Sequence, residues 1–222
     1  MYLSYLVFVF MKDFYTYTLY VTIFCLAINI ILGKLKLISL VWIYKMQKRG
    51  ETIIGISVII CSRNDLENLK HNLSAILKQD YHTYEVIVVD DCSTDGTLEY
   101  LENLSNENPL LKIFRIEKKS SPGKKEALQV GIANAIYPFL LLTDADCSPA
   151  SIHWIKSHAC FADENASVIL GYGKYKKEKG FLNMLIRFDT VLIAINYMNQ
   201  ALWRYPYMGV GRNMGYSRDL AV

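Results

Sequence analysis

Nineteen consecutive residues without a charge, from Phe14 to Leu32, set the first constraint on the fold of this chain. A helix of that length is about 28 Å long, close to the hydrocarbon thickness of a bilayer. Tyrosines crowd its first end, as aromatic side chains do at a membrane interface. Basic residues follow its second end, at Lys34, Lys36, Lys45, Lys48 and Arg49. By the positive-inside tendency, the side of the membrane that carries these basic residues is the cytoplasm.

The segment therefore predicts an anchor in the cell membrane (inner or plasma), with the domain that follows it facing the cytoplasm. A cleaved signal peptide is the alternative, but the start of the chain lacks a basic region and no small-x-small cleavage site follows. Two neighbouring segments, Met1–Met11 and Leu35–Tyr44, are also apolar, and their entry into the bilayer stays open. A polar joint, Gln47–Thr52, separates the anchor and basic juxtamembrane segment (1–50) from a domain expected over 53–222.

The composition is that of an α/β domain with extra elements. The chain has 222 residues, 52% of them hydrophobic, which is enough for one sizeable core. A formal charge of +3 without a dense basic block argues against nucleic acid as a partner. Five scattered cysteines form no CxxC pair, which argues against a zinc site or a disulfide framework. The four histidines share no metal-ligand spacing, and we interpret them as surface or packing residues.

Strand-like and helix-like patterns alternate after the joint. Apolar runs predict strands at 56–60, 84–89, 111–115 and 137–142, and helical spacing predicts helices at 65–78, 94–103 and 124–135. Asn64 or Asp65 is expected to cap the first of these helices, and Ser93 or Asp95 the second. The alternation is typical of a mainly parallel, Rossmann-like sheet flanked by helices. Such sheets bind ligands beyond the carboxyl ends of their strands.

The polar residues at three strand ends are therefore expected along one edge of the sheet. They follow the first, second and fourth strands as Cys61–Asn64, Asp90–Gly96 and Asp144-Ala145-Asp146. Residues two apart at a strand end point to the same side, so Asp144 and Asp146 converge while Ala145 faces away. Two converging carboxylates suit a hard divalent cation, Mg²⁺ or Mn²⁺, completed by a substrate diphosphate. An acidic loop or a helix cap is the other interpretation.

A lysine also reaches this edge in the predicted order of elements. Ser121-Pro122-Gly123 leads into the third helix and Lys124 opens it, in a place where a lysine and free N–H groups can meet phosphate. The sequence has no GxGxxG and no GxxxxGK[ST] pattern, so neither a Rossmann dinucleotide fingerprint nor a P-loop is present. The carboxylates suggest ribose hydroxyls or base edges at one strand end and a metal–diphosphate at the other.

Five motifs between about Ile56 and Asp219 occur in a specific order. They are SVIICSRNDLENL (57–69), YEVIVVDDCSTDGT (84–97), GKKEALQVGI (123–132), LLLTDADCSP (140–149) and GVGRNMGYSRD (209–219). A lone DxD pattern is common by chance, but this series behind a membrane anchor resembles the family 2 glycosyltransferases. The resemblance implies an α/β domain of the GT-A fold preceded by an N-terminal transmembrane helix.

The resemblance implies roles for residues at the nucleotide end of the site. Cys61 and Arg63 stand where the family contacts the nucleobase, although many members carry proline at the position of Cys61. Asp91 matches the residue that binds the base or ribose, while Asp90 is expected to hold the turn. Lys124 matches a lysine near the diphosphate of the donor. The alternative for Lys124 is a solvated lysine in the first turn of a helix.

The resemblance also implies roles at the sugar end. Asp146 is assigned to the metal, and Asp144 to the metal and to the sugar or ribose side. The loop that shapes the donor-sugar and acceptor pocket is matched by Gly211, Arg212 and Asn213. Arg212 as an exposed loop residue is the alternative.

The implied activity is transfer of a sugar from a UDP- or GDP-sugar to a hydroxyl with inversion, with a lipid-linked or cell-envelope glycan as acceptor. The family's general base lies in an acidic motif after the last matched loop, so the catalytic base is unknown here and expected beyond Val222. We therefore expect an incomplete domain that holds the donor-binding part. The alternative is a membrane-tethered interaction module without catalysis. A sugar-phosphate nucleotidyltransferase fits less well, because the Gly-rich loop of those enzymes is missing after the first strand.

A second long apolar stretch, Phe181–Trp203, carries Arg187 and Asp189 near its middle. The charges argue against a full membrane span. An amphipathic helix at the membrane surface or against the acceptor is expected, and a buried core helix is the alternative. The lysine run Lys174–Lys177 is interpreted as a solvated face, with anionic lipid as its other partner.

Overall fold

The computed structural model describes residues 2–46, 54–120, 122–162 and 168–221. The polar joint Gln47–Thr52, with Lys48 and Arg49, and the predicted helix entry at Ser121 lie outside the described residues. The chain divides into two compact units. One unit combines residues 1–47 with 177–207, and the other combines 48–176 with 208–222.

The second unit is built on a six-stranded mixed sheet. Its strands are β1 (Ile56–Ser62), β2 (Tyr84–Asp91), β3 (Leu111–Ile116), β4 (Phe139–Asp144), β5 (Val168–Leu170) and β6 (Met214–Ser217). The order across the sheet is β3-β2-β1-β4-β6-β5. The first four strands are parallel, whereas β6 runs antiparallel to both β4 and β5. The predicted mainly parallel α/β sheet is confirmed, with an antiparallel margin.

Helices cover both faces of the sheet. The second unit contains α2 (Leu66–Leu77), α3 (Thr97–Glu107), α4 (Lys125–Ala133) and α5 (Trp154–Ala159). Alternate residues of β1 serve the two cores, since Val58 and Ile60 pack with α2, α3 and α5. Ile59 packs on the other face with Ala127 of α4. Both faces of the central strands are therefore buried, which explains their unbroken apolar runs.

The four predicted strands match the observed ones to within two residues at each end. The sequence pattern did not specify the residues at which the helices begin. Helix α3 begins at Thr97 because the residues before it form a turn, in which the Asp95 carboxylate accepts the Thr97 N–H at 3.1 Å. Asp65 occupies the N-cap position of α2 without a capping hydrogen bond from its side chain. The Leu66 N–H donates to Asp95 Oδ2 instead, at 3.1 Å. One carboxylate therefore serves the starts of two helices.

The first unit consists of two long helices, α1 (Tyr2–Met46) and α6 (Phe181–Leu202). Within α1, Met11–Trp42 is long and apolar enough to cross a membrane, and α6 meets the same criterion of length and composition. The helices contact each other where Lys36 Nζ donates to Asn196 Oδ1 at 3.2 Å and Ser39 Oγ donates to Asn199 Oδ1 at 2.6 Å. Most side chains of α6 are at least partly exposed. The interpretation of α6 as a buried core helix was therefore wrong.

Candidate active site

The carboxyl ends of β1, β2 and β4 bring the predicted polar residues to one edge. In the strand register, Cys61 of β1 pairs with Asp144 of β4, and Ser62 pairs with Asp90 of β2. Burial raises the pKa of the Cys61 thiol to about 11. The positive charge of Lys124 opposes this rise, and the carboxylates of Asp144 and Asp91 add to it. Three of the residues predicted for donor binding, Lys124, Asp144 and Asp91, therefore act electrostatically on a fourth, Cys61.

Lys124 and Asp144 form an ion pair at this edge, with 2.8 Å between Nζ and Oδ1. Lys124 occupies the N-cap position of α4, so the helix start directs the lysine to the end of β4. Burial alone would lower the pKa of Lys124, but the hydrogen bond and the charge of Asp144 outweigh it and the pKa is raised. The Lys124 side chain is 65% exposed, as the alternative of a solvated first-turn lysine has it, but its ammonium is also paired with a residue of the predicted site.

Asp144, Asp146 and Cys147 form the candidate metal site. Their ligand atoms all lie within 4.8 Å of one another, and the Cys147 N–H closes the turn on the Asp144 carbonyl at 3.0 Å. Ala145 between the two carboxylates is buried, as the alternation at the strand end predicts. The two carboxylates converge as the sequence indicated, while Cys147 is an addition that the DxD pattern did not identify.

The donor set suits a hard divalent cation. Two carboxylates supply the oxygen ligands that Mg²⁺ and Mn²⁺ prefer. Burial, together with the hydrogen bond and charge of Asp146, raises the pKa of Cys147 to about 11. Sulfur is also a soft donor, and a hard ion prefers carboxylate oxygen to it. Asp144 and Asp146, without Cys147, are therefore the residues that would hold the metal.

Asp91 is buried at the end of β2, and its two oxygens differ. Its Oδ2 forms an ion pair with Lys119 Nζ. Its Oδ1 is buried and has no hydrogen-bond partner within the described parts of the chain. A buried acceptor of this kind is costly unless a donor reaches it. Asp91 Oδ1 is therefore open to accept a hydrogen bond from a ligand.

Lys119 is a site residue that the sequence did not identify. It follows β3, whose last residue, Ile116, is paired with Asp91 in the strand register. The rule that parallel strands end at one edge applies to β3 as well as to its neighbours. That rule would have indicated the lysines after Ile116, although not which of them pairs with Asp91.

The turns after β1 and β2 are joined to each other. Asn64, with a φ of 53°, donates its N–H to Ser93 Oγ at 2.9 Å and accepts the Thr94 N–H on Oδ1 at 2.8 Å. The Asp90 carboxylate accepts the Ser93 N–H at 3.4 Å, so Asp90 holds the turn as expected. Ser93 serves this junction and not the start of α3. Arg63, predicted to contact the nucleobase, is exposed beside the junction.

The Gly211–Asn213 loop is a short 3₁₀ turn before β6. Arg212 lies over the Tyr175 ring, with its guanidinium carbon 4.7 Å from the ring centroid, so it is packed and not a freely exposed loop residue. The Asn213 carboxamide accepts the Trp154 indole N–H at 2.9 Å and donates to the Tyr172 carbonyl at 3.2 Å. The side chain of Asn213 therefore secures the loop to its surroundings.

A mainly parallel sheet with an antiparallel margin and carboxylates at its carboxyl edge is the architecture of the GT-A class. The family model described as "Glycosyl transferase family 2" matches residues 57–221, and the chain belongs to this family. The resemblance noted in the sequence is thereby confirmed. The mannosyltransferase PcManGT from Pyrobaculum calidifontis, in complex with GDP-Man and Mn²⁺, shares the fold with a TM-score of 0.56 at 20% identity. The match covers 87% of this chain and 56% of that one.

Two curated relatives are closer in sequence. An uncharacterized glycosyltransferase of Haemophilus influenzae is 28% identical over 153 residues, or 69% of this chain and 44% of the relative. The poly(ribitol-phosphate) beta-N-acetylglucosaminyltransferase TarS of Staphylococcus aureus is 36% identical over 117 residues, or 51% of this chain and 20% of the relative. A TarS crystal structure in complex with UDP matches with a TM-score of 0.50 at 33% identity, over 57% of this chain and 38% of that one. The chain thus spans less than half the length of either curated relative.

Proposed function

We propose that this chain is the donor-binding part of a membrane-anchored glycosyltransferase that transfers a sugar from a nucleotide-diphosphate sugar to a hydroxyl with inversion. The observation that carries the proposal is the edge shared by Lys124, Asp144, Asp146 and Asp91. A lysine beside two converging carboxylates suits a metal-bound diphosphate. The open oxygen of Asp91 suits a ribose hydroxyl or a base N–H. Together these groups match the two ends of a nucleotide-sugar.

The donor is proposed to be a UDP-sugar, with a GDP-sugar as the other candidate. The TarS relative was crystallised with UDP and is one-third identical to this chain over the matched part, which favours uridine. Asp91 Oδ1 would accept from the nucleoside. Cys61 and Arg63 would line the base, and Lys119 would act as a positioning residue, because it fixes the carboxylate that the nucleoside reaches.

Asp144 and Asp146 are proposed to hold Mg²⁺ or Mn²⁺. When bound, such an ion offsets the charge that develops on the leaving diphosphate. Lys124 is paired with Asp144 in this structure, and we expect its ammonium to turn to a diphosphate oxygen when the donor binds. Charge on the diphosphate would then be met by the lysine and by the N–H groups that open α4.

The acceptor side is proposed from the anchor and the last loop. We propose that α1 anchors the protein in the cell membrane with residues 53–222 as the glycosyltransferase domain on the cytoplasmic face, because basic residues follow the apolar segment. A lipid-linked or cell-envelope glycan is the acceptor that suits this location. Gly211, Arg212 and Asn213 are proposed to shape the sugar and acceptor pocket. Arg212 is the most direct candidate for contact, because Asn213 is engaged in the fold.

The test is binding of UDP to the full chain in detergent, measured by titration calorimetry with and without Mn²⁺. We expect Asp146→Asn to weaken metal-dependent binding by about tenfold or more, or about 1.4 kcal/mol. Asp80→Asn is the matched control, because Asp80 precedes β2 at the opposite edge of the sheet and pairs with His153. Equal binding by the two variants would overturn the metal assignment. No nucleotide binding by the wild-type chain would favour the tethered interaction module.

A further inference from the structure

We propose that the first two turns of α6, residues 181–188, insert into the lipid bilayer beside α1. The inference rests on the proposed membrane anchor and goes beyond the transfer reaction. The proposed partner of α6 is an anionic bilayer, and the proposal also states which part of the helix is inserted. The amino-terminal end of α6 would lie among the acyl chains, and its second half would lie above them.

The exposure of α6 is concentrated at its amino-terminal end. Phe181 and Leu182 are 69% and 70% exposed, and Met184 and Phe188 are more than half exposed. The buried residues of α6, in contrast, are Ala194, Tyr197 and Asn199, all in its second half. Large apolar side chains in such numbers require a cover. The need for a cover is greatest on these first two turns, because Val191, Leu192 and Ile193 are less exposed, at 37–43%.

The contacts with α1 set the direction of α6. Lys36 bonds Asn196 and Ser39 bonds Asn199, so both pairs are separated by 160 residues. A constant offset means that the two helices run in the same direction at this contact. The first two turns of α6 therefore lie on the side of this contact where α1 leads back into its uncharged part, which ends at Leu32.

Charges on both sides of residues 181–188 limit how far this part inserts. Lys177, Glu178 and Lys179 are exposed just before the helix, so the chain has to lie at the headgroups there, where the two lysines can meet anionic lipid. Arg187 can extend its guanidinium to the headgroups while its stem stays in apolar surroundings. Asp189 is exposed and has no such reach, so it marks the upper limit of the inserted part. Lys34 and Lys36 of α1 lie above that limit, on the side that the anchor assigns to water.

The experiment uses the full chain in vesicles of phosphatidylcholine and phosphatidylglycerol. Leu182→Cys and the matched control Gln200→Cys, both at exposed positions of α6, are treated with a membrane-impermeant maleimide. Peptide mass spectrometry then assigns the labelling to each cysteine, so the native cysteines can stay in place. The native Cys25 of α1 reports on the anchor in the same sample. A thiol in the hydrocarbon does not ionise and should react at least about tenfold more slowly.

The proposal predicts protection at positions 25 and 182 and labelling at position 200. Labelling at position 182 with protection at Cys25 would overturn the insertion of α6 and leave the anchor intact. Labelling at both would overturn the anchor and the insertion together, without bearing on nucleotide binding. A benzophenone maleimide, attached at position 182 before reconstitution, should cross-link to lipid. Cross-linking to a second copy of the chain would contradict the bilayer as the partner.

Discussion

Replacement of Lys119 by methionine should destabilise the sheet unit, because it leaves the Asp91 carboxylate buried without its partner. The Asp91 side chain is 5% exposed and that of Lys119 is 18% exposed, so the pair is screened poorly by water. Breaking a buried ion pair by removing one partner costs about 3–5 kcal/mol. The other Asp91 oxygen already lacks a partner in the described structure, and water reaches the lysine end of the pair. We therefore expect the free energy of unfolding to fall by about 3 kcal/mol, the lower end of that range.

The assay is thermal unfolding of the full chain in detergent, followed by near-ultraviolet circular dichroism. A loss of about 3 kcal/mol corresponds to a lower Tm by about 6–12 °C for a chain of this size. Lys118→Met is the matched control, because Lys118 is the exposed neighbour of Lys119 and should change stability by less than about 0.5 kcal/mol. The double variant Asp91→Asn with Lys119→Met should recover more than about 1 kcal/mol, because it removes the stranded charge. Equal stability of the two lysine variants would refute the reasoning.

Three further predictions concern packing, pH and metal choice. Gly131→Ala should lower the free energy of unfolding in urea by about 1–3 kcal/mol, because a Cβ there would lie 2.6 Å from Ile59 Cγ2. Gly33→Ala is the control, since a Cβ there would meet nothing within 4 Å, and it should leave that free energy unchanged. Burial lowers the pKa of His158 below its ordinary 6.5, so stability should fall as pH drops below about 6.5, and His158→Gln should flatten that part of the pH–stability curve. Cys147→Ser should change the Mn²⁺ requirement for UDP binding by less than about twofold; a larger loss in calorimetry would make the thiol a ligand.

The parallel part of the fold could be predicted from the sequence because its strands are buried on both faces. The apolar runs of β1, β2 and β4 end in polar residues, and the rule of a common carboxyl edge brings Cys61, Asp91 and Asp144 together without further information. The strand register bears this out for Cys61 and Asp144. The position of Lys124 followed from the same rule, applied to the helix that enters at that edge.

What could not be predicted depends on contacts between distant segments. The antiparallel pairing of β6 with β4 brings together residues more than seventy positions apart. No short turn links the two strands, so no local sequence pattern indicates that they pair. Asn213 matched a binding loop, but its carboxamide is engaged by Trp154 and Tyr172. The same holds for Asp65, whose expected capping role is taken by Asp95 from another turn. Local pattern predicts the elements, and tertiary hydrogen bonds decide which polar side chains remain available.

The central claim is that the edge formed by Asp91, Lys124, Asp144 and Asp146 is one site for a divalent cation and a nucleoside diphosphate. Binding of two ligands at one site is linked reciprocally. The most direct measurement is a Mn²⁺ titration of the full chain, followed by electron paramagnetic resonance of the free ion, with and without UDP. The account predicts tighter Mn²⁺ binding in the presence of UDP than is explained by the complex of the ion with free UDP. Mn²⁺ binding that UDP leaves unchanged, after correction for that complex, would contradict it.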